Sequence, residues 1–179
     1  MAEIKRPQKV FAFVGLIYAP RIKVDAVLEK LSPVVGNVAL QSDTLQFTHT
    51  TYYNQEMGDG LLRQWCVFDR LIDPDLLIDL KHHSNRLEKT MLNDHGGRNM
   101  NIDPGLLSMS NVVLASTKNY AHRMYCGKGI YAEVTLIYQQ KTFKPLDWTY
   151  PDYREHTAID FFCSARELLK EKIKGADNV

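Results

Sequence analysis

Four cationic side chains and one carboxylate lie close together within residues 114–136, LASTKNYAHRMYCGKGIYAEVTL. They are Lys118, His122, Arg123, Lys128 and Glu133. A buried strand that ends in cationic donors is suited to hold an anionic group, because charge-assisted hydrogen bonds strengthen away from water. Arginine grips a phosphate or carboxylate with two donors, whereas lysine acts as a point charge. The segment therefore predicts an anion-binding site, and the alternative is a solvated loop with ordinary surface charges.

Glu133 lies in the middle of a predicted strand, on the same face as Tyr131. Glutamate is uncommon in such a position unless its face is wet, paired or functional. In a functional role Glu133 would be a general base or a metal ligand, and with His122 it is a candidate for acid–base catalysis. The alternative is an ion pair between Glu133 and Arg123 or Lys128.

Asp103 stands at a predicted strand end, before a turn at Pro104-Gly105. Aspartate commonly caps such a turn by accepting a backbone hydrogen bond. If Asp103, His122 and Glu133 converged, they would form a divalent-metal or acid–base cluster. The sequence contains no HExxH, CxxC or EF-hand motif. We therefore predict no metal site, and these three residues are the candidates if there is one.

A second dense cluster, FKPLDWTYPDYR, covers residues 143–154. Trp148 and Tyr150 offer broad faces that would wall a pocket and stack on a base or another ring. The alternative is that these aromatic side chains rest on the core before the last helix. In that case Asp152 would be a helix cap and Arg154 a surface charge.

Two motif comparisons concern phosphate chemistry. The string HTT at residues 49–51 matches the H-x-T motif of two-histidine phosphoesterases. Those enzymes need two such motifs facing each other, and the second match, HHS at residues 82–84, falls inside a predicted helix. A P-loop needs GxxxxGK[ST], whereas GKG at residues 127–129 lacks the first glycine and the hydroxyl residue after lysine.

Apolar periodicity predicts strand, helix, strand, strand, helix and strand, in that order, over residues 8–103. We expect the first helix to end at Ser32-Pro33 and the second to begin at Asp73-Pro74. This order matches the ferredoxin-like β-α-β-β-α-β arrangement. An extension over residues 104–175 would add a C-terminal β-hairpin and a final helix.

The main strands of the extension are predicted at residues 111–117 and 129–139. Strict alternation along the second of these strands puts Leu136 on the face opposite Glu133. No repeat, low-complexity run or linker divides the chain. We therefore expect one globular α+β domain over residues 1–179.

The composition, with 45% hydrophobic and 24% charged residues, is that of an ordinary soluble globular protein. A net charge of +1 argues against a broad nucleic-acid surface. No apolar run approaches the roughly 18 residues of a membrane span, and no small-residue cleavage site follows the short apolar run near the start. Three widely spaced cysteines fit reduced thiols. These features predict a cytoplasmic protein without membrane contact, and they leave the oligomeric state open.

Several strings together resemble a bacterial and archaeal family named domain of unknown function 4416. They are TTYYNQEMGDGL, FDRLIDPDLL, NIDPGLL, VLASTKNYAHRMYCGKGIYAEVTLIY and PLDWTYPDYR. The resemblance spans roughly residues 7–169 and implies a single-domain cytoplasmic protein with no established activity and no catalytic residue to carry over. Some members carry the label "GTP-binding protein". A conventional GTPase is not expected, because residues 103–105 are one short of DxxG and residues 116–119 are not NKxD.

We therefore expect a protein that binds an anionic small molecule, either a nucleotide or a phosphorylated metabolite. The ligand contacts would be Lys118, His122, Arg123, Lys128, Tyr131, Trp148 and Tyr150, with Glu133 beside them. The alternative is a non-catalytic module that contacts protein or RNA, as ferredoxin-like sheets do when strand aromatics stack on bases. The sequence indicates neither a cofactor nor a particular reaction.

Overall fold

The computed structural model describes residues 3–176, and its centre is an antiparallel sheet of nine strands with helices on both faces. The strands are β1 Val10–Tyr18, β2 Val38–Gln41, β3 Leu45–Gln46, β4 Leu62–Ile72, β5 Met100–Leu107, β6 Asn111–Ser116, β7 Met124–Gly127, β8 Ile130–Gln139 and β9 Thr142–Pro145. The helices are α1 Val24–Val35, α2 Asn54–Met57, α3 Leu77–Lys89 and α4 His156–Ala176. Short 3₁₀ turns precede α3 and α4, at Pro74–Leu76 and Pro151–Arg154.

The sheet is built around β1, every residue of which is buried. The strand order is β2-β4-β1-β5-β6-β8-β7, with β3 beside β4 and β9 beside β8. Because side chains alternate along a strand, Val14 and Leu16 join a core under α1 and α3, whereas Phe11 and Phe13 join a second core under α4. The apolar residues of one strand thus hold both layers of helices on the sheet.

The first helix does not end at Ser32-Pro33, as the sequence predicts, but continues to Val35. Proline has no N–H for the carbonyl four residues earlier, and here the Ser32 hydroxyl donates to that carbonyl, Glu29 O, at 2.9 Å. The helix ends at Gly36, whose φ of +90° suits a residue without a Cβ. A local side-chain bond therefore makes the proline tolerable.

The α+β class is confirmed, with one large antiparallel sheet and four helices. The ferredoxin-like topology is not confirmed, because the sheet has nine strands and its full order differs from that of a four-stranded unit. The division predicted near residue 103 falls inside β5. The predicted turn at Pro104-Gly105 is wrong, since both residues lie in that strand. Gly105 is explained by packing, because a Cβ there would lie 2.4 Å from the Phe13 ring.

A bulge in β8 breaks the predicted alternation. Val113 pairs with Val134 and Val112 pairs with Leu136, so Thr135 is an extra residue in the ladder. As a result Leu136 lies on the same face as Glu133, not on the opposite face. The pattern of residue types along β8 does not predict this shift in the alternation of its side chains.

None of the helices described between residues 3 and 176 combines the length and apolarity that crossing a membrane requires.

Candidate functional site

The sheet splits between β5 and β6. The two strands pair only over residues 105–107 and 112–114 within the described chain. Beyond that point β5 remains paired with β1, and β6 with β8. The next residue outward on β5 is Pro104, which has no N–H to donate to a neighbouring strand. The proline therefore explains why the ladder stops and the two strands diverge.

Two side chains of α3 take the place of the missing strand. Glu88 accepts a hydrogen bond from the Ile102 N–H at 2.6 Å, and Lys81 Nζ lies 3.3 Å from Ile102 O as a donor. Lys81 also donates to Asp103 at 3.1 Å. Burial raises the pKa of Glu88, although the Ile102 N–H, Lys81 and Arg98 oppose that effect. Charged side chains of α3 thus lie in the split and bond to the open edge of β5.

A cavity of about 600 Å³ occupies this split, and we call it the cleft. Its cationic wall residues are Arg63, Lys81, Arg98, Lys118 and Arg123. Its carboxylates are Glu88, Asp103, Glu133 and Asp152. Its aromatic wall residues are Phe47, Tyr52, Tyr53, Tyr150 and Tyr153. Its volume lies in the range of pockets that hold small organic ligands.

Arg123 ties three walls of the cleft together. Its Nε donates to Glu133 at 2.6 Å, one Nη donates to the Lys118 carbonyl at 3.0 Å, and the other donates to the Tyr150 hydroxyl at 2.7 Å. Burial alone would lower the pKa of Arg123, but Glu133 and Tyr150 outweigh burial and raise it. The guanidinium predicted to grip a ligand with two donors is thus largely engaged by the protein itself.

Glu133 is only 2% exposed and forms the ion pair with Arg123 that the sequence left as an alternative. The same oxygen lies 3.2 Å from His122 Nε2. The other oxygen, Oε1, has no hydrogen-bond partner among the described residues. Burying a carboxylate oxygen without a partner costs free energy of desolvation. Glu133 is therefore a candidate for a functional role.

Three of the predicted ligand contacts do not line the cleft. His122 stacks on Trp148, with ring centroids 5.3 Å apart and an interplanar angle of 9°. Trp148 donates its indole N–H to Val134 O at 2.8 Å. Tyr131 packs against Tyr125 on the β7–β8 hairpin. His122 does not line the cleft, but it contacts Glu133, which does.

Lys128 is the fourth predicted contact that lies elsewhere. It occupies the tight turn between β7 and β8 with a φ of +49°, and its side chain is 68% exposed. Its ammonium lies 3.1 Å from Asp79 on α3. The hairpin turn carries Lys128 away from Lys118, because β7 leads the chain to the outer edge of the sheet.

Asp103 lies in the wall of the cleft and is not a turn cap. One of its oxygens accepts from Lys81, and the other accepts from the Asn101 amide at 2.6 Å. Glu133 and His122 contact each other, but Asp103 takes a different set of partners. Between residues 3 and 176 the structure contains no group of three or more His, Cys, Asp or Glu residues that could hold a metal ion.

The residues that form the floor of the cleft are not predicted by the sequence. Arg63 Nη2 lies 2.9 Å from Asp152, and both side chains are nearly inaccessible. The guanidinium carbon lies over the rings of both Trp65 and Tyr153, 4.7 and 4.9 Å from their centroids. A Cβ at Gly15 would lie 2.5 Å from the Tyr153 hydroxyl, so the glycine leaves the room that this cluster needs. Asp152 is therefore a buried counter-ion and not the predicted helix cap.

His49 and Thr50 line the cleft, but they do not form half of a two-histidine site. His49 pairs with Glu155 at 3.1 Å. The second predicted motif lies on α3, where His82 Nε2 is 3.0 Å from Lys128 O on the outside of the protein. The two histidines therefore do not face each other.

A signal for three missed wall residues is present in the sequence. Lys81, Asn85 and Glu88 recur at helical spacing beside the apolar stripe of α3 and all face the cleft. Lys81 and Glu88 are both buried. Polar residues that lie beside core leucines on one helical face therefore indicate these three wall residues.

Truncating Leu114, which lies between the second core and the cleft, should lower the free energy of unfolding by about 2–3 kcal/mol, the lower part of the range for buried leucines. The side chain is 4% exposed, but one side borders an open cavity and has fewer contacts to lose. Denaturant unfolding of Leu114→Ala measures this. Leu168→Ala on the surface of α4 is the control, and an equal loss in both variants would remove Leu114 from the core.

Comparison with known proteins yields one match. A family model described as "Domain of unknown function (DUF4416)" matches residues 8–169. No curated protein and no solved structure matches the chain. The match confirms the family to which the sequence strings pointed.

Proposed function

Because the chain belongs to the DUF4416 family, whose description states no activity, we propose a function from the cleft itself. The protein binds an anionic small molecule, either a nucleotide or another phosphorylated metabolite. Of the residues predicted from the sequence, Lys118, Arg123, Glu133 and Tyr150 belong to this site. The cavity wall does not include His122, Lys128, Tyr131 or Trp148. Further polar residues of the wall come from α3, β4 and β5.

The observation that carries this proposal is the state of Lys118. Each of the other four cations in the cleft wall lies within 3.1 Å of a carboxylate. Lys118 has no carboxylate partner among residues 3–176, and its ammonium contacts only the ring and hydroxyl of Tyr52, at 4.9 and 3.5 Å. An exposed cation in a cavity wall without a counter-ion favours an anionic ligand, and its chain neighbours Ser116 and Thr117 line the same wall.

The wall charges limit the ligand to a small anion with other polar groups. Four carboxylates accompany the five cations in the wall, so a polyanion that fills the cleft would meet repulsion as well as attraction. The aromatic side chains of Phe47, Tyr52 and Tyr53 offer faces on which a ring could lie. A nucleoside monophosphate or a sugar phosphate fits this distribution better than a long polyphosphate.

Replacing Lys118 with glutamine should weaken binding of phosphorylated ligands by about tenfold or more, because one hydrogen bond to a charged group is lost. A thermal-shift screen of inorganic phosphate, nucleotides and sugar phosphates identifies a ligand, and calorimetry then compares the variants. Lys128→Gln is the matched control, since this lysine is exposed and lies outside the cleft. Equal affinity in Lys118→Gln and the wild type would contradict the proposal.

Acid–base catalysis by Glu133 or His122 stays a prediction. Glu133 is the better placed of the two, because it lines the cleft and has one oxygen without a partner among the described residues. A general base must lie within hydrogen-bond reach of the proton that it takes. His122 would act through Glu133, as a positioning residue.

A second candidate function is the non-catalytic interaction module, and one observation favours it. The β7 edge and the loop before it expose three large side chains, Tyr120, Met124 and Tyr125. Exposed apolar groups beside a sheet edge are typical of protein or RNA contacts. No ligand in the screen, together with a protein or RNA that copurifies through these three residues, would favour this alternative.

We also propose that the centre of the sheet is a ferredoxin-like unit. Its elements would be β1, α1, β2, β4, α3 and β5. The sheet order β2-β4-β1-β5 supports this, because β1 and β2 then run parallel with β4 between them, as in a split β-α-β unit.

A further inference from the structure

We propose that the α3 end of the cleft recognises hydroxyl groups, so that the ligand is a phosphorylated polyol such as a sugar phosphate. This inference rests on the proposed function and names its ligand class. The residues that carry it are Asn85 and Asp103, supported by Lys81. Lys118 remains the contact for the phosphate.

The first step is the position of the α3 residues. Lys81 and Asn85 are four residues apart on the helix, so they lie on one face. Both reach the cleft through the split between β5 and β6, where Asp103 forms the adjacent wall. The three side chains thus belong to one end of the cavity and to rigid elements.

The second step is their unused hydrogen-bonding capacity. Within residues 3–176 no hydrogen bond engages the amide of Asn85, which is only partly buried in the cleft wall. Asp103 keeps 30% of its side chain exposed, and each of its oxygens receives one donor from the protein. A carboxylate offers about four acceptor sites. Asn85 and Asp103 are therefore both open to a ligand.

The third step is chemical complementarity. A hydroxyl donates one hydrogen bond and accepts others, so it matches a carboxylate acceptor beside an amide that does both. Phosphate oxygens only accept and would be repelled by Asp103. An ammonium group is a poorer match, because Lys81 at 3.1 Å already neutralises Asp103. Hydroxyl groups are therefore the partners that satisfy this end of the cleft.

The fourth step is size. The cavity of about 600 Å³ is far larger than a phosphate ion needs. A phosphate ion at Lys118 would leave most of this volume unfilled. A sugar attached to the phosphate would place several hydroxyls there, with Tyr53 and Tyr150 as the adjoining aromatic walls.

The test is calorimetry with two phosphate esters that differ in hydroxyl content, ribose 5-phosphate and methyl phosphate. The wild type should bind ribose 5-phosphate at least about tenfold more tightly, because hydrogen bonds to a charged acceptor are added. Asn85→Ala should reduce that preference about two- to tenfold, and Asp103→Asn by about tenfold or more. Asn85→Ala changes no charge, so it should not change the affinity for methyl phosphate by more than about twofold.

Asn85→Ala keeps every ion pair of the cleft. Its preference for ribose 5-phosphate over methyl phosphate therefore tests the inference even if Asp103→Asn does not fold. Arg86→Ala, on the exposed face of the same helix turn, is the control and should match the wild type. Equal binding of both esters in wild type and Asn85→Ala would overturn this inference and leave phosphate binding at Lys118 intact. If neither ester binds, this inference fails, whereas the proposed function fails only if the nucleotides and phosphates of the thermal-shift screen also give no stabilisation.

Discussion

Replacing Asp152 with alanine is expected to lower the free energy of unfolding by about 3–5 kcal/mol, because the change leaves the Arg63 guanidinium buried without a counter-ion. The side chain of Arg63 is 3% exposed and that of Asp152 is 9% exposed, and Arg63 Nη2 lies 2.9 Å from a carboxylate oxygen of Asp152. Burial disfavours the charged form of Arg63, while Tyr153 and Asp152 favour it and raise its pKa. The Nε and Nη1 atoms of Arg63 lack partners among the described residues, so no hydrogen bond from these atoms offsets the loss of Asp152.

Denaturant unfolding, followed by circular dichroism, measures this loss. Asp79→Ala is the control, because its ion pair with Lys128 is largely exposed and should contribute less than about 1 kcal/mol. Adding Arg63→Met to Asp152→Ala should restore part of the stability, since an apolar side chain removes the unpaired charge. A loss below about 1 kcal/mol in Asp152→Ala would mean that cleft water solvates the guanidinium.

Replacing Glu133 with alanine is expected to cause a loss of similar size, about 3–5 kcal/mol, for the same physical reason. The side chains of Arg123 and Glu133 are both almost fully buried, and their hydrogen bond is 2.6 Å long. His122 loses its carboxylate partner as well. Arg123 keeps only the Lys118 carbonyl and the Tyr150 hydroxyl as acceptors, so three walls of the cleft lose their common anchor.

Glu133→Gln separates structure from ligand chemistry at this position. The amide keeps the shape and one acceptor oxygen, so its loss of stability should be smaller than that of the alanine variant. If Glu133 takes part in ligand chemistry, Glu133→Gln should also change the response to phosphorylated ligands while the protein remains folded. Stability equal to wild type in Glu133→Ala would show that Arg123 finds a substitute partner, and the anchoring role would then be abandoned.

The candidate site could be predicted only in part. Lys118, Arg123, Glu133 and Tyr150 were found because a run of cationic and aromatic residues at a strand end is visible in the sequence. His122, Lys128, Tyr131 and Trp148 belong to the same runs, yet their side chains point elsewhere. Nearness in sequence fixes which residues share a hairpin, but a tight turn or a ring stack decides where each side chain lies.

The residues that were missed come from distant parts of the chain. Arg63 lies on β4, where no chemistry-bearing neighbours form a motif, and Lys81 lies on α3, where only the helical spacing of Asn85 and Glu88 points to it. Each meets its partner, Asp152 or Asp103, across the fold. Such pairs cannot be read from spacing, because the order of strands in the sheet brings them together.

The sequence by itself determined the α+β class, the buried first strand, most helix and strand positions and the family. These follow from local periodicity and turn residues, which act over a few positions. Only the tertiary structure decided the split at Pro104, the bulge at Thr135 and the closure of the cleft. The physical reason is that each of these depends on which strand lies next to which, and therefore on contacts between residues far apart along the chain.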